Sequence, residues 1–170
     1  MYSRIGKARQ RPLGALLAFS LLCAGAGCSR SHTLTTADGK LSYQDKGKGA
    51  GTLTVTGKDG KTATMSFNEN KVPDDYPKDV PIYSPAKVVM AQSVPDKNAR
   101  NLMLESSDGA DKIAAFYKNG LEANGWKTET SMATGGLTMY TATKDQRELT
   151  LQITDTGSKR GVMQVVADKH

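Results

Sequence analysis

Apolar and polar positions alternate along most of this chain, and the period of the alternation divides it into units. Thr33-Leu34-Thr35 and Lys40-Leu41-Ser42-Tyr43 flank Ala37-Asp38-Gly39, and an Asp-Gly step between alternating runs predicts a hairpin. Thr52-Leu53-Thr54-Val55-Thr56 and Thr62-Ala63-Thr64-Met65-Ser66-Phe67 repeat the period of two around a second turn, Gly57-Lys58-Asp59-Gly60-Lys61. Leu53, Val55, Ala63, Met65 and Phe67 then share one face, which predicts a three- or four-stranded antiparallel meander over 33–71 with that face buried. Residues 72–85 break the pattern. Pro73, Pro77, Pro81 and Pro85 recur every four residues, with Asp74, Asp75, Lys78 and Asp79 between them. Proline fixes φ and lacks a donor, so an extended strap is expected, with Val80, Ile82 and Tyr83 packing inward, at the junction of two subregions.

From Ala86 to the end at 170 the pattern predicts a second unit. Lys87–Ser93 and Arg100–Ser106 form a hairpin around Pro95-Asp96-Lys97-Asn98. The spacing then changes to that of a helix: Ala110, Ile113, Ala114, Phe116, Tyr117 and Leu121 make one apolar stripe. Ser107 or Asp108 is the expected N-cap and Gly125 the left-handed C-terminal cap. Strands follow at Trp126–Met132, Leu137–Thr143, Glu148–Thr154 and Gly161–Ala167. The fold class read from this is α+β, with one helix packed on an antiparallel sheet in the order β-β-α-β-β-β-β, preceded by the small N-terminal β-meander.

The first 27 residues follow a different grammar. Arg4, Lys7, Arg9 and Arg11 form a basic head, and Leu13 to Gly27 carries no charge. A basic head, an apolar run and small residues at its end make a secretory signal peptide, and this run is short and Gly-rich for a permanent span. Its end, Ala26-Gly27-Cys28, resembles the lipobox of bacterial lipoproteins, although Gly25 stands where that family usually has leucine. The resemblance implies cleavage between Gly27 and Cys28 and lipidation of Cys28, which becomes the first residue of the mature chain. An ordinary signal-peptidase cut near Ala24–Ala26 is the alternative, and it leaves Cys28 a free thiol. One acyl chain holds a protein only marginally, whereas several on one residue make a lasting anchor. Cys28 to His32 reads as a polar tether, and Ser29 after the cysteine resembles outer-membrane rather than inner-membrane cargo.

Charge changes little once the leader is set aside. Of 23 Lys and Arg, four lie in the leader, so 19 remain against 17 Asp and Glu, a net +2 in place of +6. That small excess gives no electrostatic case for nucleic acid as a partner. Both cysteines, Cys23 and Cys28, fall at or before the cut, so no internal disulfide is expected and the fold must rest on its core.

Catalytic chemistry is sparse. His32 and His170 are the only histidines, one in the tether and one at the last position, which speaks against a His-dependent triad. No zinc set of His and Cys remains, and Asp74, Asp75 and Asp79 lack EF-hand spacing. Gly47-Lys48-Gly49-Ala50-Gly51 has no phosphate-loop context. Glu122, Glu129 and Asp145 have nothing that places them in one cleft. Phe116, Tyr117 and Trp126 read first as core and second as an aromatic floor for a glycan or peptide.

Tyr76-Pro77-Lys78-Asp79-Val80-Pro81-Ile82-Tyr83, and Phe116-Tyr117 with Leu121 and Gly125-Trp126, resemble a motif pattern of small bacterial lipoproteins of unknown activity. The resemblance covers about 72–170 and implies an architecture without assigned chemistry. The expectation is a non-enzymatic, periplasm-facing domain of the outer membrane, lipid-anchored through Cys28, without cofactor, metal or nucleic acid, and with an envelope protein as possible partner. An inhibitor or immunity protein acting on an envelope hydrolase, or an accessory of an outer-membrane assembly complex, is the alternative.

Overall fold

The computed structural model describes residues 30–94 and 98–169. The described residues form ten strands: β1 Arg30–Thr36, β2 Gly39–Gly47, β3 Ala50–Gly57, β4 Thr62–Phe67, β5 Lys87–Val94, β6 Ala99–Ser106, β7 Lys127–Thr134, β8 Leu137–Lys144, β9 Arg147–Asp155 and β10 Arg160–Asp168. One helix, α1 Ala110–Ala123, separates β6 from β7. The fold is α+β, a large antiparallel sheet with one helix on it. Among the described residues no helix is long and apolar enough to cross a membrane.

All ten strands belong to one sheet, in the order β1-β2-β3-β4-β5-β6-β10-β9-β8-β7. This corrects the expectation of a separate meander. β4 pairs with β5 through Thr64–Ser93 to Phe67–Met90, so the meander is a continuation of the sheet. Arg30 to His32, expected as tether, are already the start of β1. Cys28, the Gly27–Cys28 bond, Pro95–Lys97 and His170 lie outside the described residues.

Helix and strap cover one face of the β5–β10 half. Leu102, Leu104, Leu149, Leu151, Ile153, Val162 and Val166 point at that layer, and Ile113, Tyr117 and Leu121 come down onto them from α1. Phe116, the stripe's outlying member, remains 37% exposed. Strap residues Tyr76, Val80 and Tyr83 complete the same cluster. A buried glutamine pins the strap: Gln164 accepts from the Tyr76 hydroxyl at 2.7 Å and donates from Nε2 to the Pro81 carbonyl at 2.8 Å. Burial, with a smaller push from a neighbouring tyrosine in each case, moves the Tyr76 and Tyr117 hydroxyls far up from the ordinary tyrosine range.

The helix ends differ in how well the sequence foretold them. Its N-cap is Gly109, and no side chain caps it. Asp108, an expected cap, instead accepts from the Tyr83 hydroxyl and from Lys112, i to i+4. Ser106 Oγ takes the Asp108 amide at 3.1 Å. At the other end Gly125 is left-handed, with φ 75°, and Trp126 N–H reaches back to the Leu121 carbonyl at 2.9 Å while Gly125 N–H reaches Glu122. That is the double bond of a Schellman stop.

Candidate functional site

The strap, the end of α1 and the β8–β9 turn meet around Trp126. Its indole N–H donates to the Asp79 carbonyl at 2.9 Å, which orients the ring. Asp79 takes Arg147 in a two-pronged pair, Nη1 to Oδ1 at 3.0 Å and Nη2 to Oδ2 at 2.7 Å, and Lys144 Nζ at 2.7 Å. Arg147 lies 5.2 Å over the Trp126 ring. Lys144 also donates to the Asn124 carbonyl at the helix end, at 2.8 Å. The Arg147 hydrogen bonds, aided by Lys144, hold the Asp79 carboxyl far below the usual carboxylate range. This cluster stitches strap, helix and sheet together; its carboxylate is saturated and has no proton to exchange near neutral pH.

Beside it opens a cleft of about 480 Å³, walled by Trp126 and Tyr140, with Thr128 and Ser131 from β7 and Lys118 and Glu122 from α1 at its rim. β7 supplies the open side because all its residues are exposed. Two hydroxyls, one cation and one anion around two aromatic walls suit binding of a small polar chain with an apolar side. A second hollow of about 460 Å³ follows the outside of the strap along Tyr76, Pro77, Val80 and Ile82.

The residues singled out in the sequence scatter across this framework. Tyr117 and Trp126 are buried core, and Phe116 stacks edge-on against Tyr83 and Tyr117 at centroid distances of 5.1 and 5.2 Å. The aromatic group is therefore mainly packing, and only the Trp126 wall reaches the cleft. Asp74 pairs with Lys71 at 3.2 Å, Asp75 with Arg100 at 2.6 Å, and Asp79 with Arg147, so the three strap acids face different partners. Among the described residues no group of three or more His, Cys, Asp or Glu is placed to hold a metal. Glu122 lines the cleft, while Glu129 accepts from Thr143 and Asp145 sits in the turn beside Arg147. Gly47–Gly51 forms the β2–β3 hairpin, and His32 lies in β1. Tyr140, Thr128 and Ser131 were missed; the period-two pattern marks them as strand residues, and nothing local tells which strand the helix end will overhang.

Residues 88–161 match a family model described as START domain-like. The matched span runs from β5 to the start of β10 and takes in α1 and every residue named around the cleft. It is under half of the 170 residues, and the strap and β1–β4 lie outside the START domain-like segment. No curated protein and no solved structure matches the chain.

Proposed function

We propose that this chain is a lipid-anchored binding domain of the bacterial envelope, fixed to the periplasmic side of the outer membrane through Cys28. The observation that carries the reading is Ala26-Gly27-Cys28 at the end of an uncharged run behind a basic head. The domain's role is to bind and not to catalyse: the neighbouring Asp79 is spent on Arg147 and Lys144, Glu122 is the single acid in the lining, and the cleft offers aromatic walls and hydroxyls. Its ligand is a short polar chain with one apolar side, a glycan or peptide segment presented by an envelope partner.

Labelled palmitate is expected to enter the wild-type chain and to be absent from Cys28→Ala. Solubilised membranes should yield a partner with the wild-type chain that is lost when Ser131→Trp fills the cleft, with the circular dichroism spectrum unchanged. Undiminished labelling of Cys28→Ala overturns the anchor. An unchanged partner set with the filled cleft overturns the assignment of the cleft.

A further inference from the structure

The polarity of the sheet reverses between its two halves. In β5–β10 the apolar face lies under the helix and strap. In β1–β4 the helix side is hydroxylic, a cross-strand row running Thr33, Ser42, Thr54, Thr64, Ser93. The apolar side chains point the other way: Leu34 opposes Leu41, Leu41 opposes Val55, and Val55 opposes Ala63. Tyr43, Leu53 and Met65 form the next row on that face. This face was expected to be buried; Leu53, Ala63, Met65 and Phe67 are half-buried, and Val55 and the β1–β2 side chains beyond it are exposed. Leu34 is 60% exposed, Val55 46%, and Leu41 and Tyr43 39% each; these are four of the six exposed large apolar residues among those described. Gly51 leaves room for the Tyr43 ring to lie across β3, since a Cβ there would meet Tyr43 Oη at 2.8 Å. The aromatic side chain is thereby spread flat on the face.

We infer that this apolar face of β1–β4 rests on the phospholipid surface to which Cys28 is tied. The inference builds on the lipid anchor proposed above. Its second support is the length of chain before the structure begins. β1 starts at Arg30, so a single residue, Ser29, stands between the anchor and the first strand. Two residue steps reach about 7 Å at full extension, which is within the headgroup layer. The N-terminal end of β1 therefore stays at the bilayer, and Leu34 on this strand is the most exposed large apolar side chain among the described residues. Arg30 on this face and Lys48 in the β2–β3 turn lie at the anchored end, where phosphates would meet them. Sheet twist of about 20–25° per strand turns the later strands away, so the contact is confined to the first four.

The test reads depth residue by residue. Trp126, the single native tryptophan, gives a constant core background. Leu41→Trp and Val55→Trp place a probe on the apolar face; Ser42→Trp and Thr54→Trp place one on the hydroxylic face of the same strands. Each mature chain is coupled through the Cys28 thiol to a maleimide phospholipid in vesicles of phosphatidylethanolamine and phosphatidylglycerol. Matched vesicles carry brominated acyl chains. The apolar-face probes are expected to lose about half their added emission and shift to the blue, consistent with a depth of about 5–10 Å, while the hydroxylic-face probes keep theirs. Equal emission from both faces with brominated lipid overturns the inference. So does an apolar face that is shielded in lipid-free solution by a cross-linkable second copy. The intact mass of the chain taken from cells reports acylation of Cys28 separately, so a missing acyl group sinks the anchor while the coupled chains still report on the face.

Discussion

At the scale of single residues the strap is held by two side chains of opposite character. Gln164 is neutral, wholly buried and satisfied on both ends of its amide by Tyr76 and Pro81. Asp79 is charged, about a quarter exposed, and paired with Arg147 and Lys144. Only the second makes stability depend on pH. The Asp79 carboxyl is held below its unfolded value near 4, so the folded state gains from it at every pH above that value and loses the gain as pH falls through and below it. Asp79→Asn is expected to cost about 2 kcal/mol near neutral pH, because Arg147 loses a charged, half-buried partner. The same variant should lose less further stability than wild type between roughly pH 4 and pH 2. Urea unfolding followed by Trp126 emission across that range checks both statements; a wild-type and variant pair with parallel acid profiles would refute the assignment.

Among elements, the contact of α1 with the strap rests on the absence of a side chain. A Cβ on Gly120 would stand 3.0 Å from Pro81 Cβ and 3.2 Å from Pro81 Cγ. The proline ring is stiff, and its carbonyl is tied to Gln164, so the strap cannot retreat freely. Gly120→Val is expected to destabilise by about 1–3 kcal/mol through overpacking, a loss larger than the few tenths that valine gains over glycine as a helix former. Asn119→Val, one residue away on the exposed side, should stay within about 0.5 kcal/mol. Because the strap carries the acceptor of the Trp126 indole, the Gly120 variant should also shift Trp126 emission, and the Asn119 control should not. The elements themselves were legible: period-two runs and Asp-Gly turns mark the strands, and the stripe ending in Gly125 marks α1. Their assembly was not. Alternation tells that Leu53 and Val55 share a face, but it is silent on what opposes that face. The β4–β5 pairing joins strands on either side of the strap, a distance over which no local signal acts. Asp108 looked like a cap because a short carboxylate before a helix usually is one; here the Tyr83 hydroxyl, delivered by the strap, competes for it.

Considered as a whole, the sheet is covered unevenly, and its local stability should follow the cover. β6, β10 and β9 have paired neighbours on both edges and the helix–strap layer on one face, and their inward residues are buried to the last few per cent. β1 has one neighbour, and every one of its residues is exposed; β2 is little better. Opening β1 removes one ladder of hydrogen bonds and almost no apolar burial, whereas opening β9 requires the core cluster to come apart. Native-state hydrogen exchange of the lipid-free chain should therefore show β1 and β2 amides exchanging by local opening, with protection roughly a hundredfold or more below that of β9 and β10. Mutations should sort in the same way. Asp79→Asn and Gly120→Val lower the global opening energy and so speed the slowest amides, yet leave β1 nearly unchanged, since its opening never reaches the strap. Uniform acceleration of β1 along with β9 would mean that the ten strands open as one cooperative unit, and the division into a packed half and a thin wing would fail.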